Sequence, residues 1–165
     1  MRTSAKNVAF GGIMAAVAIV IMCMGGLIPI ATYVCPVSCM LILRVVLKNC
    51  GTRVGWAWYG AVAILSVLMA PDKEAAATFL FLGYYPIVKP WLDRQKLKWL
   101  LKAVYFNAVV LLMYWLLINL FGMAQLASEF QELGIVLTAV TLGMGNVTFF
   151  LTDMILGREL RFRKR

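Results

Sequence analysis

The stretch MRTSAKNVAFGGIMAAVAIVIMCMGG (residues 1–26) sets Arg2 and Lys6 ahead of a long apolar run. A basic flank followed by an oily segment also fits a secretory leader. Its small residues argue for something retained. Ala5 and Ala9, Gly11 and Ala15, and Gly12 and Ala16 each lie four apart, one helical turn along a shared face. Five further apolar runs follow, so the segment reads as the first of several membrane helices.

The whole chain supports that reading. Of its 165 residues 63% are hydrophobic and 14% are charged, more apolar surface than a soluble core of this size can bury. A hydrocarbon layer about 30 Å thick takes roughly 20 helical residues to cross. Six apolar runs are present, at about 8–24, 30–47, 54–70, 75–90, 103–122 and 133–156. Alternating ten-residue strands are missing, so helices must satisfy the backbone. The expected fold is all-α: a single polytopic membrane domain over 1–165, a bundle of six transmembrane helices.

The net charge of +9 could suggest nucleic acid, but its placement speaks for a membrane. Arg2, Lys6, Arg44, Lys48, Arg53, Lys89, Arg94, Lys96, Lys98, Lys102 and the tail RELRFRKR fall on one side of the alternating connections. Lys73, Asp72, Glu74, Glu129 and Glu132 fall on the other. Lys and Arg accumulate in cytoplasmic loops, so both termini are expected in the cytoplasm of a bacterial cell whose plasma membrane holds the chain. The basic tail is expected to meet anionic lipid headgroups or an acidic partner surface. No nucleic-acid partner is expected.

Catalytic chemistry has little to build on. There is no histidine, no carboxylate pair within a span, and no phosphate loop ending in Lys-Ser or Lys-Thr. The chain is therefore not expected to be an enzyme or to bind ATP or any cofactor itself. Cys35 and Cys39 share a helix face in CPVSC, but without histidine or a second cluster they read as small apolar residues, not metal ligands. Asp153 lies about one turn from the end of the last span, with Arg44 or Arg158 as conceivable partners.

Uncharged polar residues are more numerous. Thr32, Tyr33, Tyr84, Tyr114, Asn119, Thr138, Thr141 and Asn146 could line a small-molecule pocket, rings stacking on the ligand while amides and hydroxyls orient it. Such residues also commonly hydrogen-bond to neighbouring helices. The outer halves of the spans carry no charge, which favours a neutral or heteroaromatic ligand, while Glu129 and Glu132 could meet a cationic group. Within GYYP, Pro86 denies the Leu82 carbonyl its helical partner, so a kinked turn is expected there. Tyr84 and Tyr85 fall about 3–4 Å past mid-membrane, too deep for an interfacial aromatic belt, and point about 100° apart, so one of them faces any cavity. Lys89 and Trp91 do fit that belt.

Six helices in about 165 residues, small residues four apart on the first helix and no ATPase motif together resemble the substrate-binding (S) components of energy-coupling-factor transporters. The resemblance implies a subunit that captures a vitamin-like or other small micronutrient outside the cell. It implies a transmembrane coupling subunit and two cytoplasmic ATPases as partners, the ATPases using the ATP. It also implies that Gly11, Gly12, Ala15 and Ala16 face the coupling subunit. The histidine-bearing N-terminus of the nickel and cobalt members is missing here. The alternative is a membrane scaffold or morphogenesis-complex subunit without a small-molecule ligand, whose polar residues pair with one another.

Overall fold

The computed structural model of the chain describes residues 2–27, 31–95, 97–119, 139–140 and 142–156. Among them every regular element is helical and none is a strand. Three helical stretches are long and apolar enough to cross a membrane: Ala5–Cys23, Ala31–Met69 and Lys98–Leu116. Large apolar side chains such as Ile13, Leu68, Leu111 and Val147 lie exposed on the helices, a surface that suits hydrocarbon. The chain divides into two compact units, Met1–Gln95 and Lys96–Arg165.

The first unit contains α1 (Arg2–Cys23), a short 3-10 turn (Met24–Leu27), α2 (Ala31–Met69), α3 (Lys73–Leu82) and α4 (Tyr85–Leu92). Straight, the 39 residues of α2 would span about 58 Å. Instead they fold back at Gly51, where φ is 83° and ψ is 176°, a conformation open essentially to glycine alone. Two observations fix the reversal. Leu47 and Leu43 before the turn close on Gly55 after it, and Thr32 at one end of α2 bonds to Asp72 just beyond the other. The halves 31–50 and 52–69 coincide with the second and third apolar runs, each about the length of a span. Pro36 lies in the second turn, where helical dihedrals persist.

α1 packs antiparallel to the first half of α2. The Cys39 thiol donates to the Ala18 carbonyl at 3.5 Å, and the Cys50 thiol to the Asn7 carbonyl at 3.4 Å. The two contacts lie the same distance apart along both helices, so the register does not slip. Ala18, Met22, Cys39, Leu43, Val62 and Phe79 form the centre of the core. Cysteine serves there as a small apolar residue with a weak donor.

The expected kink in the fourth apolar run is a full break. α3 ends at Leu82, Gly83 and Tyr84 form a turn, and α4 starts at Tyr85. Pro86 supplies no N–H for the Leu82 carbonyl, and a Cβ at position 83 would collide with the carbonyl oxygen of Phe79.

In the second unit, α5 (Lys98–Asn119) runs antiparallel to α6 (Leu142–Leu156). Successive contacts join Lys102 to Asp153, Phe106 to Phe149 (ring centroids 4.7 Å apart) and Asn107 to Asn146. Gly145 faces the Phe106 ring, and a Cβ there would meet Phe106 Cζ at 3.4 Å, ordinary van der Waals contact.

Candidate functional site

The hairpin of α2 brings Thr32 and Tyr33 to the same end of the first unit as the turn before α3. Thr32 Oγ1 donates to Asp72 Oδ2 at 2.6 Å, and the Tyr33 hydroxyl donates to Glu74 Oε1 at 3.4 Å. The other oxygen of Asp72 accepts from the Ala75 N–H at 3.0 Å and so caps α3. Lys73 turns away and donates to the Val67 carbonyl at 2.9 Å, near the end of α2. Gly25 in the 3-10 turn lies against this cluster, its added Cβ 3.8 Å from both Asp72 Cβ and Cys35 Sγ. Two hydroxyls and two carboxylates thus converge where the loop after α1 meets the start of α3.

Tyr84 belongs to a second cluster, about 18 Å farther along by its twelve-residue separation from Asp72. Its ring lies near-parallel to that of Trp56, with centroids 6.4 Å apart and 21° between planes. Tyr59 meets it edge-on at 5.8 Å. Tyr85 is buried in the core, so of the two tyrosines Tyr84 is the one left partly open. Thr32, Tyr33 and Tyr84 therefore form two groups within one unit.

The second unit holds the others. Tyr114 is half-buried on α5, and Asn119 ends that helix. Asn146 exchanges side-chain amide hydrogen bonds with Asn107, at 3.1 and 3.0 Å. Each amide also donates to the carbonyl one turn back in its own helix, Ala103 or Leu142. Thr138, Thr141, Glu129, Glu132, Arg158 and the tail RELRFRKR lie outside the described residues.

Asp153 Oδ2 accepts from Lys102 Nζ at 2.8 Å, with both side chains almost fully buried. Lys102 is expected in a cytoplasmic connection, yet the second turn of α5 points it into the helix interface. Lys89 departs from expectation in the same way. It is 3% exposed, 3.5 Å from Asp93 and 6.0 Å from the Tyr85 ring centroid, whereas neighbouring Trp91 is open. Residues two apart on a helix point about 200° apart, to nearly opposite sides, so Lys89 enters the interior while Trp91 meets the surroundings.

On α1 the small residues divide between two faces. Gly11 is buried, 3.5 Å from Val54 Cγ1 when given a Cβ, and Ala15 packs on the core. Gly12 has open space at its Cβ position and Ala16 is exposed, as are Ala5 and Ala9. The exposed four make a continuous ridge at helical spacing.

Asp72, Trp56, Tyr59 and Lys102 were not among the sequence-predicted site residues. Asp72 carried a signal: an acid at the start of a helical run is a ready N-cap. Comparison with protein families, with characterised proteins and with solved structures gives no match.

Proposed function

We propose that this chain is the substrate-capture subunit of an energy-coupling-factor type transporter. It crosses the plasma membrane six times with both termini in the cytoplasm, and it holds a neutral or heteroaromatic micronutrient on the outer side. A transmembrane coupling subunit and two ATPases then drive import. The observation that carries the reading is the exposed ridge of Ala5, Ala9, Gly12 and Ala16 on α1. In lipid, small side chains favour helix association by letting backbones approach closely. The converging hydroxyls and carboxylates around Thr32, Tyr33, Asp72 and Glu74, with the partly exposed ring of Tyr84, supply polar and aromatic groups suited to a ligand.

Affinity purification of tagged chain from native membranes tests the assembly. A coupling subunit with two ATPases is expected to co-purify. Gly12→Leu or Ala16→Leu is expected to abolish that recovery without lowering the chain's own stability. Recovery of the bare chain under mild extraction would refute the proposal.

Two observations favour the second reading, a scaffold without a small-molecule ligand: Asn146 directs its amide to Asn107, and Thr32 its hydroxyl to Asp72. Mass spectrometry separates the two. A small molecule carried stoichiometrically by the purified chain excludes the scaffold.

A further inference from the structure

The break between α3 and α4 is tied to the second half of α2 by side chains. The Tyr59 hydroxyl donates to the Leu80 carbonyl, in the last turn of α3. Its ring meets Tyr84 edge-on, and Trp56, one turn earlier on the same half-helix, lies near-parallel to Tyr84. Trp56 and Tyr59 also contact each other at 6.0 Å, with 78° between planes. Three rings therefore touch pairwise, and one of them holds the end of the broken helix. An interfacial tyrosine ordinarily aims its hydroxyl at headgroups. Tyr59 aims its hydroxyl at a backbone oxygen four residues before Tyr84, so the same side chain fixes the end of α3 and one edge of the Tyr84 ring.

We infer that Tyr59 is a positioning residue: its hydrogen bond to Leu80 sets the direction in which the chain leaves α3, and thereby the face Tyr84 presents beside Trp56. The inference rests on the capture reading in giving Tyr84 a ligand to meet, but its test needs no ligand. Of these three rings, the sequence placed only Tyr84 in the candidate pocket. Trp56 and Tyr59 extend it to a three-ring group whose geometry is set by one hydroxyl.

Near-ultraviolet circular dichroism of the full chain in detergent reads the coupling between Trp56 and Tyr84. Tyr84→Leu removes the signal that this pair contributes. Tyr59→Phe keeps the ring and removes only the donor; it is expected to lose at least about half of the same signal with far-ultraviolet helicity unchanged. A Tyr59→Phe spectrum that superimposes on wild type while Tyr84→Leu differs would overturn the inference. If Tyr59→Phe does not fold, 4-aminophenylalanine incorporated at position 59 decides, because its para amine puts an N–H donor where the hydroxyl stands against the Leu80 carbonyl. A wild-type signal then supports the assignment, and a lost signal overturns it. A wild-type chain that carries no small molecule would instead count against the capture reading and leave this result standing.

Discussion

Removing one member of the Lys102–Asp153 pair should cost far more than removing both. Lys102 Nζ lies 2.8 Å from Asp153 Oδ2, and the two side chains are 4% and 8% exposed. At that separation, with an effective dielectric constant of about 20, the gross attraction is about 6 kcal/mol. Desolvation of two buried ions offsets most of it, so the pair as a whole adds little net stability. Lys102→Met leaves the Asp153 charge buried without that partner, and Asp153→Leu does the same to Lys102. Each single substitution is expected to destabilise by about 3–5 kcal/mol, while the double substitution Lys102→Met/Asp153→Leu stays near wild type. In equilibrium constants the singles lose about two to three and a half orders of magnitude, at 1.4 kcal/mol per factor of ten. Reversible unfolding of the full chain in mixed micelles, followed by circular dichroism, measures all three variants. Additivity, with the double variant as unstable as the two singles summed, would refute the reasoning. It would mean that the two side chains act independently and that the α5–α6 register has another origin.

Gly51→Ala should lower stability by about 1–3 kcal/mol, although nothing lies within 4 Å of the added Cβ. The cost is backbone strain at φ 83°, and a thermal melt at or above wild type would remove the glycine requirement from the hairpin turn. Asp72→Ala removes the α3 cap and the acceptor for Thr32, and should cost about 0.5–2 kcal/mol, with Asp72→Asn losing less. Chemical denaturation of the two variants side by side checks that order. Asn107→Leu deprives Asn146 of its partner across the interface and should cost about 0.6–2 kcal/mol. If Asn107→Leu and Asn146→Leu proved strictly additive in a double-mutant cycle, the amide exchange between them would contribute nothing.

Much of this architecture was legible in the chain before any coordinate. A stretch as oily as residues 8–24 has one low-energy environment, and the backbone inside it has one way to satisfy its hydrogen bonds. The break after Leu82 was likewise written in Gly83 and Pro86, because a missing N–H and a missing Cβ are properties of the residues themselves. Tertiary structure decided how each helix is rotated and which polar group it finds. Gly11 and Gly12 look equivalent in sequence, yet one meets Val54 and the other open space. Lys89 and Lys102 counted as loop charges because charge is read by position along the chain, while burial depends on the neighbouring helix. Asn107 and Asn146 are separated by 39 positions and came together only when α5 and α6 packed in register. Spacing of 3.6 residues per turn fixes which residues share a face, but which way that face points is set by the packing partner.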